Sequence, residues 1–220
     1  IILGQFCMTP EGLMNLMGGR INFIKRLDQV FTTPPTSDFS YYGFKIHEIL
    51  EMELLNMGQY AHGNQPIQHA IYFYNFARQP WKTQEKIRHV MDNLYGDGPD
   101  GYCGDEDNGQ TSAWFVFSAL GFYPVAPVTG QYVIGSPLFE SVKIELPNNK
   151  TVNINVSNNK KENVYISSLT VNNQDYNKNW LDHSIFINGG EIDFSMSPEP
   201  NYFWGSDKES VPYSMSSEKK

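Results

Sequence analysis

Cysteine is nearly missing from this chain, with only Cys7 and Cys103 in 220 residues. Two are too few for a disulfide framework and their spacing fits no metal motif, so both are expected as buried free thiols. Positive charge is also short: 16 Lys and Arg stand against 24 Asp and Glu, a net charge of -8. No basic run of the kind that tracks a phosphate backbone occurs, and the Lys pairs, Lys160-Lys161 and Lys219-Lys220, fall in the C-terminal half and at the very end. Nucleic acid is excluded as the expected partner. No apolar run approaches the length of a membrane span, and the opening Ile1-Ile2-Leu3 has neither Met nor the basic start of a secretory signal. The chain reads as an internal or C-terminal piece of a longer protein, so the missing signal says nothing about where that protein resides.

What is present centres on one stretch, Gly104-Asp105-Glu106-Asp107-Asn108-Gly109-Gln110, which runs on through Thr111-Ser112-Ala113-Trp114 to Ala119-Leu120-Gly121-Phe122-Tyr123-Pro124. Three consecutive acids between glycines lead into an apolar segment that reads as a buried helix, closed by Gly121 and broken at Pro124. Carboxylates at a helix start gain from free N–H groups and the positive end of the dipole, but side by side they repel unless a cation or substrate sits among them. The plain alternative is a capped helix with solvated acids in its lead-in loop. A calcium loop of the EF-hand type is excluded by spacing. Asp105-x-Asp107 copies its opening, but Gly109 comes a position early and Val116 stands where the closing Glu belongs. Aromatic residues make up 14% of the chain, which allows sugar binding and equally suits a dense core.

Residues 11–19 and 20–31 read as two short helices broken at Gly18-Gly19, the second with Ile21, Ile24, Leu27 and Phe31 on one face. A loop rich in Thr, Pro and Ser then leads through Tyr41-Tyr42-Gly43 to a helix over 47–57. His62-Gly63-Asn64 reads as a turn with Pro66 opening the next helix, on which His69 lies near Tyr72, Phe73 and Phe76. Pro80 starts another helix running to about Leu94, with Ile87, Val90, Met91 and Leu94 along one side, and 96–101 is a turn cluster that delivers the chain into the acids. About six helices thus fill 11–121. After Pro124 the period changes to two. The runs 132–134, 141–146, 151–156, 164–169, 184–187 and 192–196, separated by Asn-rich and Gly-rich turns, predict an antiparallel β unit. The expected division is 1–124 helical, 125–205 β, and a polar, disordered tail over 206–220.

The block from Gly104 to Pro124 resembles the signature of glycoside hydrolase family 92, the calcium-dependent, exo-acting alpha-mannosidases. Four further phrases are similar to family phrases. They are Leu13 to Gly19, Tyr60-Ala61-His62-Gly63-Asn64-Gln65-Pro66-Ile67-Gln68-His69, Tyr72 to Gln84, and Trp180-Leu181-Asp182-His183. Phe6-Cys7-Met8-Thr9-Pro10 departs from the pattern, and Gln65 stands where many members carry Glu. A neutral amide oxygen still binds a hard cation or a sugar hydroxyl but lends no charge.

The resemblance implies a mainly α plus β fold: a partial (α/α)6 toroid of helical hairpins, the second half of a catalytic ring, followed by a small antiparallel β unit. It implies an inverting hydrolysis of terminal, alpha-1,2-linked mannose from glycans. Asp107 is then the general base with Asp105 assisting, and Asn64, Gln65 and Asp107 are calcium ligands. His62, His69, Glu106 and Gln110 are expected to bind substrate. The family's general-acid Glu aligns before Ile1, and Glu11 does not match it. An extracellular or periplasmic home follows from the family, and the rest of the parent polypeptide is the expected partner. Two other readings stay open, a non-catalytic carbohydrate-binding or structural module and a different helical-toroid glycosidase.

Overall fold

A computed structural model describes residues 7–36, 38–41 and 43–217. The opening Ile1-Ile2-Leu3, Phe6 of the departing phrase, Tyr42 of the Tyr-Tyr-Gly turn and the tail's 218–220 lie outside the described residues. The first half is helical: α1 (Pro10–Leu16), α2 (Arg20–Thr32), α3 (His47–Leu55), a 3-10 segment (Gln65–Tyr72) running into α4 (Phe73–Phe76), α5 (Pro80–Leu94) and α6 (Gln110–Leu120). Proline opens α1 and α5, where its missing N–H is no loss. The segment carrying His69, expected as an ordinary helix, is wound more tightly as 3-10.

Apolar spacing gave the correct face for α5, whose Ile87, Val90, Met91 and Leu94 are all buried. On α2 the buried set is instead Phe23, Ile24 and Leu27, and Ile21 is 56% exposed. Phe23 takes the inward place, because its ring removes more apolar area from water and packs against Phe73 at 6.3 Å. The expected buried helix over 110–120 is buried on one side only: Thr111, Trp114, Ser118 and Ala119 face the core while Val116 is 55% exposed.

The second half holds β1 (Phe122–Tyr123), β2 (Gln131–Ile134), β3 (Ser141–Glu145), β4 (Thr151–Ser157), β5 (Tyr165–Val171), β6 (Gln174–Asp175), β7 (Trp180–Asp182), α7 (His183–Asn188) and β8 (Gly190–Ser197). Two sheets result, ordered β1-β2-β7 and β3-β4-β8-β5-β6. Two expectations are corrected. The larger sheet is mixed rather than antiparallel, because β8 inserts between β4 and β5 and pairs with β4 in parallel. Such a pair needs a long crossover, here supplied by the chain through β5, β6, β7 and α7. Residues 184–187, read as a strand, are helical instead, since the Asp182 carboxylate accepts from the Ser184 N–H at 2.8 Å and caps α7.

The helical core, including Phe23, Tyr60, Tyr72, Phe73, Ile87 and Trp114, and the β core, including Phe122, Ile154, Ile166, Ile192 and Phe194, meet along a polar seam. There Asn75 Nδ2 donates to the Ile134 and Asn179 carbonyls at 2.8 and 3.1 Å, and Arg88 donates to the Pro137 carbonyl at 2.7 Å. The tail also differs from expectation. Residues 206–217 fold back on α1: the Met215 N–H donates to the Met8 carbonyl at 2.9 Å and the Glu11 N–H to Ser214 Oγ at 3.2 Å. Ser214 thereby partners a backbone N–H in the first turn of α1 that has no intrahelical acceptor.

Candidate functional site

Three consecutive residues at positive φ, Asp107 (47°), Asn108 (57°) and Gly109 (95°), turn the acidic loop into α6. Asp and Asn tolerate this left-handed backbone better than other side chains because they are short and polar. The three acids consequently part company. Glu106 folds over the helix start, accepting from the Ser112 N–H at 3.1 Å and from Ser112 Oγ at 2.5 Å. It is therefore occupied as a helix cap, well placed against the positive dipole end, rather than standing ready for a sugar. Asp105 and Asp107 remain exposed.

The turn at Asn64-Gln65 lies directly against this loop. Gln65 Nε2 donates to the Asp105 carbonyl at 2.6 Å and to Thr111 Oγ1 at 3.2 Å, and Thr111 Oγ1 donates to the same carbonyl at 2.8 Å. The loops approach so closely because both carry glycine at the crossing: a Cβ on Gly104 would stand 2.5 Å from Gly63 Cα. A glutamate at 65 could not donate these two bonds, so the amide found here serves to clamp the loops. Beneath it, Gln68 Nε2 donates to the His62 carbonyl at 3.2 Å, and Gln110 Nε2 donates to Gln68 Oε1 at 3.2 Å and to Tyr123 OH at 2.9 Å. Gln110 thus belongs to the layer that supports the loops.

The two histidines are both drawn toward the core, and His62 is enclosed where no substrate reaches it. His62 is 0% exposed, with Nδ1 2.8 Å from Tyr60 OH, Nε2 2.8 Å from Tyr95 OH and the Trp114 ring edge-on at 4.3 Å. Burial lowers its pKa to about 3. It is a core histidine joining three aromatic residues. His69 is mostly buried edge-on against Phe73 at 5.2 Å, its Nε2 has no hydrogen-bond partner, and burial lowers its pKa to about 4.

Both shifts make stability pH-dependent. The unfolded chain takes up protons on these histidines as pH falls below 6.5, whereas the native state refuses them until about 3 and 4. Their contribution is complete above that unfolded value and declines as pH drops, by up to about 1.4 kcal/mol per unit for each group. Denaturant titrations of the full-length protein between pH 7 and 4.5 should show this decline, and His62→Gln should flatten it. A stability independent of pH over that range would mean that neither ring is shielded from protons.

Sequence reading missed α3 as a wall of the site. His47 Nε2 lies 3.5 Å from Asp105 Oδ2 and His47 Nδ1 lies 3.5 Å from Glu48 Oε2. Burial, and then the nearby Asp105 and Glu48 charges, raise the Glu51 pKa, with His47 opposing. Glu48 and Glu51, three apart on α3, are the signal that could have found it. Glu51, Leu54, Tyr102, Cys103 and Asp105 line a cavity of about 410 Å³. Both cysteines are free as expected and half-buried, and burial pushes the Cys103 thiol up to about 11. The arrangement is two exposed carboxylates two residues apart, set on a rigid junction and flanked by amide side chains. Such groups can accept a proton from water and hold hydroxyls.

Comparison with known proteins agrees in kind. The model of the glycosyl hydrolase family 92 catalytic domain matches residues 6–198. The chain is 30% identical over 206 residues to an uncharacterized secreted glycosidase of Arthroderma benhamiae, covering 92% of this chain and 23% of that protein. Among solved structures, the family GH92 inverting mannosidase BT2199 from Bacteroides thetaiotaomicron is 52% identical with a TM-score of 0.82 over 96% of this chain and 28% of its own. The family GH92 alpha-mannosidase BT3965 of the same organism is 36% identical with a TM-score of 0.83, over 95% and 26% respectively. The chain therefore spans about a quarter of the length of these relatives. With nearly its whole length matched by the family's catalytic domain, the chain belongs to glycosyl hydrolase family 92.

Proposed function

We propose that this chain is the C-terminal part of the catalytic region of an inverting, calcium-dependent exo-alpha-mannosidase that removes terminal, alpha-1,2-linked mannose from glycans. The observation that carries this reading is the clamped junction: Gln65 and Thr111 hold the Asp105 carbonyl, which leaves the Asp105 and Asp107 carboxylates exposed beside it. In an inverting hydrolysis one carboxylate activates a water on the far face of the sugar while an acid about 6.5–9.5 Å away protonates the leaving oxygen. Asp107 is the base, reaching beyond the clamp, and Asp105 assists by its charge and its contact with His47. The acid belongs to the part of the protein that precedes Ile1. Glu11, on α1, is engaged by the Ser217 hydroxyl of the C-terminal segment and does not match the family's acid.

Asn64, Gln65 and Asp107 fit a calcium ion in kind, since each offers an oxygen and an amide donating through Nε2, as Gln65 does, turns its Oε1 away from that contact. They do not suffice in number, since three side-chain oxygens fall short of the six to eight that calcium takes. Further ligands come from outside this chain. When bound, the ion supplies a hard positive charge that draws sugar hydroxyl oxygens. A relative's description as a secreted glycosidase supports an extracellular or periplasmic home.

The helices are read as the second half of a toroid whose other half covers the apolar side chains they leave in solvent, among them Leu54, 83% exposed, and Val116. This chain alone is accordingly expected to release no mannose, since it lacks the acid and part of the metal shell. A glycan panel assayed on the full-length protein with and without chelator, beside the purified 220-residue chain, tests both statements. Calcium-dependent release by the short chain would place the acid within it. Chelator-insensitive cleavage of mannosides by the full-length protein would remove the metal from the scheme.

A further inference from the structure

At the other end of the helical layer lies a cavity of about 420 Å³, lined by Arg20, Arg78, Lys208, Glu11, Asn15 and Ser217 among others. It is remote from the acids. The fifteen-residue α5 begins two residues after Arg78 and ends next to Tyr95, which bonds His62, so roughly 22 Å of helix separates the two regions.

The charge of this cavity is unlike that of the rest of the chain. Three cations face one carboxylate in a protein of net charge -8. None of the three makes a salt bridge among the described residues, where the ion pairs belong to Lys45, His47, Lys82 and Lys143. Arg20 donates to the Ala77 carbonyl at 3.3 Å, and Glu11 is taken by the Ser217 hydroxyl.

Arg78 adds an independent observation, because its backbone is strained. It sits at φ 61° in the slot that closes α4, with its own N–H donating to the Asn75 carbonyl at 3.1 Å and the Gln79 N–H donating to the Tyr74 carbonyl at 2.8 Å. Glycine occupies such a slot without penalty, whereas a long side chain does not. A cation held there at a conformational cost marks a place where the charge is used.

We propose that this cavity is an oxyanion site for a phosphate dianion, carried on a sugar or free. Three positive charges less one negative leave a surplus of two, which matches the -1.5 to -2 charge of a phosphate monoester. Guanidinium forks fit phosphate oxygens in pairs, and Asn15 and Ser217 can bond the hydroxyls of an attached sugar. The volume exceeds what a bare ion fills and falls in the range of small-molecule pockets.

The test is isothermal titration of the full-length protein at low salt with glucose 6-phosphate, inorganic phosphate and glucose. Glucose 6-phosphate should bind, weaken as salt is raised, and lose about tenfold in affinity with Arg78→Gly and with Lys208→Gln, one charge-assisted contact being removed each time. Arg78→Gly should also raise the Tm of the unliganded protein, because glycine relieves the strain, so a loss of binding cannot be laid to misfolding. Equal affinity for inorganic phosphate assigns the site to the free anion, and tighter binding of the ester assigns it to a sugar phosphate. Binding no tighter than that of glucose, or an affinity unchanged by both variants, overturns the proposal.

Discussion

Asp107→Asn in the full-length protein is expected to lower kcat for mannoside hydrolysis by about 10²–10⁴-fold, the usual contribution of a positioned general base. The substitution preserves shape and removes only the ability to take a proton. Its structural consequences should be small, because Asp107 is exposed and is in none of the salt bridges among the described residues. Asparagine also tolerates the left-handed backbone at φ 47° that this position demands. Tm should therefore stay within a degree or two while turnover collapses. Asp105→Asn should cost less if that residue only assists. The opposite order, with Asp105 the more sensitive, would exchange their roles. A wild-type rate in the Asp107 variant would remove the acidic loop from the reaction.

Gly104→Ala should be nearly as damaging by a different route. A Cβ there would lie 2.5 Å from both the Cα and the carbonyl oxygen of Gly63. Both are backbone atoms and neither can swing aside as a flexible side chain could, so the two loops must separate. Overpacking of this kind destabilises by about 1–3 kcal/mol. Separation would also stretch the Gln65 and Thr111 bonds to the Asp105 carbonyl, and a displacement of about 1 Å at a reacting group can cost 10²-fold in rate. Gly96→Ala is the control, because its Cβ would meet nothing nearer than the Gly101 Cα at 3.8 Å. Thermal unfolding and kcat measured together on both variants check the argument. Should Gly104→Ala retain full activity and stability, the close approach of the loops does not matter for the site.

Some element boundaries and faces were readable from local rules, although α2 turned Phe23 inward in place of Ile21 and the Asp182-capped α7 read as a strand. Prolines at helix starts, the glycine closing α6 and the four apolar positions of α5 follow from backbone sterics and periodicity, which depend only on neighbours along the chain. The acidic block and the Asn64-Gln65 turn could likewise be singled out from their residues, but those residues fit a solvated helix lead-in and a plain turn equally well, and it was the resemblance to a family that attached one chemistry to them.

What each member does at the site was decided by contacts between parts distant in sequence. Glu106 and Asp107 are neighbours with the same charge, yet one is folded onto Ser112 and the other faces solvent, because the left-handed turn at 107–109 sends them apart. His62 sits beside the turn in sequence but is enclosed by Tyr60, Tyr95 and Trp114, so desolvation rather than proximity sets its state. The place of β8 between β4 and β5, and the return of 206–217 onto α1, rest on backbone pairing between segments far apart in sequence. Amino-acid order thus determined which residues could carry the chemistry. Burial and backbone pairing, which are properties of the assembled chain, decided which of them were left free to do so.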